Sequence, residues 1–147
     1  MSGTATSAVA FPRGEEAWTR EQANALLRAV EDMFHRVDVD ALVHGFTDDC
    51  VVRFAEQGEF RGRDALRAFF TARLARQKNY RLTKTLLALD GHVLANLWEG
   101  TWDDRDTGKV MSGRGLEIWR MRDGRIAVWD AAFNVWEKDG PRRSPIM

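Results

Sequence analysis

The sequence predicts an α+β fold, in which helices cover the concave face of a curved antiparallel sheet and enclose a pocket. Two observations predict it. Helical spacing of apolar residues is confined to the first half of the chain, and from Tyr80 the pattern changes to four long strand-like runs. With 147 residues, the chain has the length of one domain with one hydrophobic core.

Three helices are expected before the long strands. Thr19 and Gln22 have the spacing of a capping box, so the first helix begins there and continues to about residue 37. Residues 38–45 predict a short second helix that closes at a glycine. Residues 64–77 predict a third helix with one apolar side.

The predicted strands differ in length. A short strand covers 51–54, and the loop after it has room for a small extra strand. Turns at Asp90-Gly91 and Asp123-Gly124 are strong hairpin signals within the second half of the chain. They join long strands that cover 80–89, 92–102, 109–121 and 125–136.

The two ends of the chain differ from its middle. Residues 1–17 are predicted to be a disordered N-terminal tail, residues 18–137 a domain, and residues 138–147 a flexible C-terminal tail. The first ten residues lack the basic and apolar regions of a secretory signal. Cys50 has no second cysteine to pair with, which fits a reducing compartment. We therefore expect a cytoplasmic protein.

The composition argues against several classes of partner. Lys plus Arg and Asp plus Glu both number 22, so no net charge attracts the chain to nucleic acid or to an anionic membrane. No apolar run approaches the ~20 residues that span a bilayer. Asp103, Asp104 and Asp106 lack the spacing of a calcium loop, so no metal site is predicted.

Both faces of the long strands carry apolar residues. On the strand at 111–121, Trp119 and Met121 point one way, and Leu116 and Ile118 point the other. The helices can cover only one of these faces. We expect the outer face to be covered by a second copy of the chain, which predicts a homodimer.

Four segments of the chain resemble the nuclear-transport-factor-2-like superfamily, and within it the SnoaL-like polyketide cyclase group. They are FHRVDVDALVHGFTDDCVVRF, FRGRDALRAFF, LALDGHVLANLWEGTW and GLEIWRMRDGRIAVWDAAFN, and the likeness covers about residues 19–137. The resemblance implies a cone-shaped fold with an internal pocket. It implies no single reaction, because isomerases, cyclases, dehydratases, hydrolases and binding proteins share this fold. The residues that match one bacterial branch are Arg53, Trp102, Gly115, Glu117, Trp119 and Asn134.

Departures from the family patterns argue against the mechanisms of three groups within the superfamily. Limonene-epoxide-hydrolase-like members carry a catalytic carboxylate on the last strand, where this chain has Ala131. None of the three histidines falls in a motif that matches the SnoaL-type His–Asp pair. Steroid-isomerase-like members use a tyrosine on the first helix, whereas the single tyrosine here is Tyr80.

Two carboxylates, Glu117 and Asp130, lie in the middle of the last hairpin, and the turn decides whether they meet. In a two-residue type I′ turn they are directly opposite, and one of them would hold a proton at neutral pH. In a three-residue loop with a bulge, Glu117 faces Trp129 and Asp130 turns to the outer face. We adopt the second register because the cavity-facing carboxylate of the hydrolases matches Ala131. Asp130 is kept as a possible second carboxylate of the site.

Glu117 is the predicted catalytic acid/base. Gly113, Gly115 and Ala131 are expected to leave space beside it, and an apolar space with one carboxylate is typical of a small-molecule pocket. The predicted substrate-binding side chains are Arg53, Trp102, Trp119, Trp129, Phe133 and Asn134. The sequence leaves equally open a buried structural ion pair between Glu117 and Arg53 or Arg114.

Two functions are compatible with this site. The first is a cofactor-independent enzyme that moves a proton in the isomerisation, cyclisation or dehydration of a small, fairly apolar carbonyl-type metabolite, with Arg53 and Asn134 polarising an oxygen. The second is a non-catalytic module that binds a small ligand or serves to dimerise. Full pairing of Glu117 with an arginine, and no cavity beside it, would favour the second function.

Overall fold

The computed structural model describes residues 10–142. Within them the chain forms three α-helices and a six-stranded sheet, which confirms the predicted α+β class. None of these helices is long and apolar enough to cross a membrane. The elements are α1 (Arg20–His35), α2 (Val39–His44), β1 (Phe46–Phe54), β2 (Glu59–Arg61), α3 (Arg63–Arg76), β3 (Gln77–Asp90), β4 (Val93–Asp104), β5 (Val110–Arg122) and β6 (Arg125–Glu137). The strands lie in the order β2-β1-β6-β5-β4-β3.

The sheet is mixed, which corrects the prediction of an antiparallel sheet. β1 pairs in parallel with β6, whereas the other neighbouring strands pair antiparallel. β1 also begins at Phe46, before the predicted start at residue 51. Asp48 and Asp49 are both exposed, and the pairing register shifts between Phe46 and Val51, so the strand lacks a regular alternation in this part.

The first helix is held at its beginning by the predicted capping box. The backbone N–H of Gln22 donates to Thr19 Oγ1 at 3.1 Å, and the Thr19 N–H donates to Gln22 Oε1 at 2.8 Å. The helix then buries one apolar stripe against the sheet, made of Ala23, Leu26, Leu27, Val30 and Phe34. α1 therefore closes one side of the space that the sheet encloses.

The polar side of α1 satisfies the outer backbone groups of β3, which is an edge strand of the sheet. The N–H of Leu82 donates to His35 Nε2 at 3.1 Å, and the N–H of Lys84 donates to Glu31 Oε2 at 2.7 Å. Arg28 in turn donates to the carbonyl oxygen of Lys84. Three helix side chains thus occupy the positions that a further strand would take.

The last hairpin combines features of both predicted registers. Asp123 and Gly124 have φ angles of 53° and 72°, as a two-residue type I′ turn requires, and Arg122 pairs with Arg125. The register then shifts, because Arg120 pairs with Val128 and Met121 with Ile126, which leaves Ala127 as a bulge.

As a result, Glu117 pairs with Ala131 instead of either predicted partner. The predicted pairing with Trp129 is wrong, because the bulge lies within β6 and not in the turn. The predicted faces are nevertheless confirmed: Glu117 is buried on the inner face, and Asp130 is part of the outer face, since one bulge residue reverses the alternation that follows it.

The two faces of β5 also differ as predicted. Trp119 and Met121 are buried in the core. Leu116 and Ile118 on the outer face are 54% and 43% exposed. An apolar strip therefore lies on the sheet face that the helices do not cover.

Residues 10–17, which the sequence analysis assigns to the N-terminal tail, pack across the hairpin turns. The N–H of Gly14 donates to Asp123 Oδ1 at 2.7 Å, and the N–H of Trp18 donates to the carbonyl oxygen of Gly91 at 2.8 Å. The rings of Phe11 and Trp18 stack at 5.0 Å between centroids. The rest of the predicted tail, at 1–9, and the end of the C-terminal tail, at 143–147, lie outside the described residues.

Candidate active site in the interior of the cone

Glu117 lies inside the space between the sheet and the helices and is 5% exposed. Its carboxylate has two partners. The indole N–H of Trp129 donates to Oε2 at 2.6 Å, and the ammonium of Lys84 contacts Oε1. The Trp129 ring is itself held by the surrounding rings of Phe46, Phe54, Phe69 and Phe70.

Lys84 is also buried, at 3% exposure. It lies on β3 and shares its inner face with Tyr80 and Leu82, so the alternation of the strand directs it inward. Burial lowers the pKa of its ammonium, and the attraction of Glu117 opposes that change without cancelling it. The ammonium also lies 5.1 Å from the centroid of the Trp119 ring.

Polar atoms without partners surround this ion pair. Asn96 on β4 lies directly opposite Glu117 in the sheet and is fully buried. Among the described residues, neither its amide oxygen nor its amide nitrogen has a hydrogen-bond partner, and the indole N–H of Trp119 has none either. Such buried groups cost free energy unless a ligand or water satisfies them.

Little empty space adjoins Glu117. A cavity of about 20 Å³ lies beside it, and Lys84, Gly115 and Phe133 also line this cavity. That volume holds about one water molecule. A second cavity of about 40 Å³ lies between α1 and the ring of Trp129.

The glycines of β5 do not leave the open space that the sequence predicts. A Cβ atom on Gly113 would lie 2.3 Å from the Trp98 ring, and one on Gly115 would lie 2.2 Å from Phe133 Cβ. The Trp98 ring fills the volume above Gly113, whereas Phe133 Cβ and the backbone of β6 occupy the volume at Gly115. The absence of Cβ atoms on these glycines permits both close approaches.

A larger cleft of about 540 Å³ opens between α3 and the strands β4, β5 and β6. Phe54, Arg73 and Phe133 line both this cleft and the small cavity beside Glu117. The cleft also contacts Phe69 and Trp102, so its walls are largely aromatic. These shared residues make the cleft an approach to Glu117.

Arg73 of α3 lies at the junction of the cleft and the cavity. Its guanidinium carbon is 4.6 Å from the centroid of the Phe54 ring, and its Nε donates to Gln77 Oε1 at 2.8 Å. Among the described residues, no carboxylate lies within ion-pair distance of it. Arg76, one turn away, is paired with Asp104.

The structure places Arg53, Asn134 and Asp130 away from this interior. All three lie on the outer face of the sheet, because they alternate with residues that point inward. Arg53 pairs with Glu59 at 3.0 Å and with Asp130 at 3.3 Å. Arg53 therefore neither contacts Glu117 nor faces the cavity, and the ion pair predicted between them is replaced by the pair with Lys84.

The predicted aromatic residues do surround the interior. Trp129 contacts Glu117, Trp119 lies against Lys84, Phe133 lies between the cavity and the cleft, and Trp102 lines the cleft. Trp98 completes the wall and donates its indole N–H to Tyr80 Oη at 2.6 Å. Burial raises the pKa of the Tyr80 phenol to about 12.

Sequence reasoning missed Lys84, Asn96 and Arg73. Lys84 and Asn96 occupy inward positions among apolar residues of their strands, and that parity is a signal of a buried polar group. Arg73 follows Phe69 by four positions, so it shares the apolar side of its helix. Each could have been found by asking which polar residues break an apolar face.

The chain is similar to known proteins over most of its length. A family model described as the SnoaL-like domain matches residues 26–129. The epoxide hydrolase/cyclase-like enzyme SalBIII, named for a role in pyran ring formation in the polyether salinomycin, has a TM-score of 0.67 and 18% identity, covering 80% of this chain and 98% of that one. No curated protein sequence matches the chain.

Other similar structures share the same architecture. An LEH-like epoxide hydrolase of M. tuberculosis has a TM-score of 0.64 and 16% identity, over 78% of this chain and 84% of that one. An NTF2-like protein of unknown function from Exiguobacterium sp. 255-15 has a TM-score of 0.64 and 20% identity, over 74% of this chain and 97% of that one. At such identities the likeness establishes the fold and leaves the reaction open.

Proposed function

Because the chain belongs to the SnoaL-like domain family, we propose that it is a cofactor-independent enzyme that moves a proton on a small, fairly apolar carbonyl compound. The reaction class is isomerisation, cyclisation or dehydration. In this proposal Glu117 is the acid/base, and the wide cleft admits the substrate. Two of the similar structures carry the names of hydrolase or cyclase-like enzymes, which supports an enzymatic function.

One observation carries the proposal: Lys84 and Glu117 form a fully buried ion pair beside unpartnered polar groups. A buried ion pair is weak evidence for stability, since its desolvation offsets much of its attraction. Titratable groups with perturbed environments inside a cleft are instead frequent at functional sites. The unpartnered Asn96 amide and Trp119 N–H lie on the same inner face, and in this proposal they bind the substrate oxygen.

The chemistry assigns one role to each group. Glu117, paired with Lys84 and oriented by Trp129, removes a proton from the carbon beside the carbonyl. The negative charge that develops on the carbonyl oxygen is stabilised by hydrogen-bond donors, which here are the Lys84 ammonium, the Asn96 amide and the Trp119 N–H. The lowered pKa of Lys84 makes its ammonium a better proton donor than an exposed lysine.

The reacting end of the substrate enters from the cleft. Phe133 is half-buried between the cleft and the cavity, so its ring must turn aside for any group larger than water to reach Glu117. Rotation of a half-exposed side chain is fast on the scale of turnover. The closed cavity then keeps water from the reacting carbon.

Exchange of protons for deuterium beside a carbonyl tests the proposal without knowledge of the natural substrate. Small apolar ketones in deuterated buffer are followed by NMR with wild-type protein, Glu117→Gln and Asp130→Asn. We expect catalysed exchange in wild type and in Asp130→Asn, whose carboxylate lies on the outer face, and a loss of about 100-fold or more in Glu117→Gln. Equal exchange in wild type and Glu117→Gln would remove Glu117 from the chemistry.

A second candidate function is supported by how tightly Glu117 is enclosed. Its two oxygens are both engaged, and the cavity beside it holds about one water molecule. These features favour a non-catalytic module that binds a small ligand in the outer cleft or serves mainly to assemble. Exchange no faster than buffer for every ketone tried would favour this function.

A further inference from the structure

We propose that Arg73 anchors a carboxylate, so that the ligand of the cleft is an aromatic or otherwise apolar monoanion. This inference rests on the proposed function in taking the cleft as the entrance to the Glu117 site. It adds a substrate class and a specificity-determining residue. Its basis is the charge balance of the cleft and the shape of its walls.

The ion pairs that the structure describes around the cleft leave out Arg73. Arg76 contacts Asp104 and Asp106, and Arg105 contacts Asp106, so two cations and two anions form one network. Deeper inside, Lys84 and Glu117 neutralise each other. Arg73 differs from these cations, because no carboxylate among the described residues forms an ion pair with it.

Arg73 is also held in a fixed position, as an anchoring group requires. Its guanidinium lies over the ring of Phe54 at 4.6 Å and within 5.9 Å of the rings of Phe69 and Tyr80. The hydrogen bond from Nε to Gln77 fixes the rotation of the group. A planar guanidinium that is already ordered loses little entropy on binding a carboxylate through two parallel hydrogen bonds.

The remaining walls of the cleft select the rest of the ligand. Phe54, Phe69, Trp102 and Phe133 offer ring faces and edges to an apolar body. Since Arg73 borders the cavity of Glu117 as well as the cleft, a carboxylate on Arg73 leaves the other end of a short ligand directed toward Glu117 or toward solvent. A ligand without a negative charge would leave the Arg73 charge unpaired in a partly dry site.

Calorimetric titration of wild-type protein with cinnamate and with its neutral amide, cinnamamide, tests the anchor. The two probes share shape and differ in charge. We expect cinnamate to bind about tenfold more tightly, as a charge-assisted hydrogen-bond pair gives. Equal affinities, or no binding of cinnamate, would overturn the proposal.

Two variants assign the preference to one residue. Arg73→Gln should bind the two probes equally, and Arg73→Lys should keep part of the preference, since it keeps the charge without the planar fork. Arg67→Gln is the matched control, because Arg67 lies on the same helix, is 49% exposed and pairs with Asp40 outside the cleft. A preference that survives in Arg73→Gln would reject Arg73, and thermal unfolding of each variant identifies a folding defect.

The role of Arg73 as a carboxylate anchor and the acid/base function of Glu117 are tested by different measurements, so one can be rejected without the other. A protein that exchanges ketone protons but binds both probes equally keeps the acid/base function of Glu117 and rejects the anchor. A protein that prefers cinnamate but exchanges no protons keeps the anchor and rejects that function. Glu117→Gln should retain the preference for cinnamate, because its substitution leaves Arg73 untouched.

Discussion

Lys84 and Glu117 form their ion pair across a strand that belongs to neither of them. Lys84 lies on β3 and Glu117 on β5, and β4 runs between the two. Two strand spacings amount to about 10 Å, which the long lysine side chain bridges over the inner face of β4. The pair therefore links β3 to β5 across β4, beside the contacts that α1 makes with the backbone of Lys84.

This relationship predicts an asymmetric response to substitution. Lys84→Met leaves the Glu117 carboxylate buried with one donor, and we expect it to lower the free energy of unfolding by about 3–5 kcal/mol. The double variant Lys84→Met/Glu117→Leu should recover at least half of that loss, because it removes both charges. Urea unfolding of the wild type, both single variants and the double variant gives the coupling energy. Additive losses would show that the pair is not coupled.

The stability contributed by Lys84 should depend on pH with a definite sign. Burial makes its pKa lower in the folded protein than in the unfolded chain, where it is about 10.4. Between those two values the unfolded chain binds more protons, so the free energy of unfolding rises with pH. Relative to Lys84→Met, the wild type should therefore gain stability as pH approaches 10. Parallel pH profiles of the two proteins would contradict this.

Tyr80 offers a direct probe of burial, because it is the only tyrosine. We expect its phenolate absorbance to develop with a midpoint at about pH 12 in the folded protein, against about 10 in denaturant. The folded state keeps the proton longer, so this group makes stability fall as pH rises from 10 toward 12. Circular dichroism at each pH shows whether the chain is still folded. A midpoint near 10 in folded protein would place the phenol in water.

Gly113 should tolerate no larger residue. In Gly113→Ala the new methyl group would lie 2.3 Å from the Trp98 ring, so the ring must leave the sheet and its hydrogen bond to Tyr80 is strained. We expect a loss of about 1–3 kcal/mol in the free energy of unfolding. Ser112→Ala, at the neighbouring position on the other face, is the control and should lose much less. Equal losses would mean that Trp98 adapts freely.

The uncovered sheet face predicts a homodimer. Light scattering at micromolar concentration should give the mass of two chains, and Ile118→Glu should give the mass of one, because Ile118 is 43% exposed in the middle of the apolar strip. Leu87→Glu is the control, since Leu87 is 49% exposed on the edge strand, away from that strip. A wild-type mass of one chain would count against an interface on this face.

Features set by neighbouring residues could be predicted from the sequence. The capping box at Thr19 is local and forms as predicted. A turn also forms at Asp123-Gly124, where the sequence places one, but it is a two-residue type I′ turn and not the three-residue loop that we adopt from the sequence. The bulge at Ala127 could not, because no Gly or Pro marks it and its effect appears only across the sheet. The parallel pairing of β1 with β6 joins segments distant in sequence, so it also left no local sign.

For the candidate site, too, some features could be predicted from the sequence and others could not. The inward position of Glu117 follows from the alternation of β5, which the sequence displays. Its true partner, Lys84, depends on how β3, β4 and β5 are aligned, and alignment is decided by pairings that the sequence does not display. Arg53 was assigned to the interior through a family match, but the parity of β1 turns it outward.

The contacts of Glu31 and His35 with the backbone of β3 have a consequence for how the protein behaves when it is stressed. They occupy the outward amides of Leu82 and Lys84, so that an extended peptide or a neighbouring molecule finds neither of these two amides free to pair with. The opposite edge strand is β2, which has three residues and so offers few backbone groups for pairing with another molecule. Detachment of α1 would leave backbone groups of β3 free to pair with strands of other molecules. The protein should therefore begin to form intermolecular β-structure under conditions that detach α1 while the core is still folded.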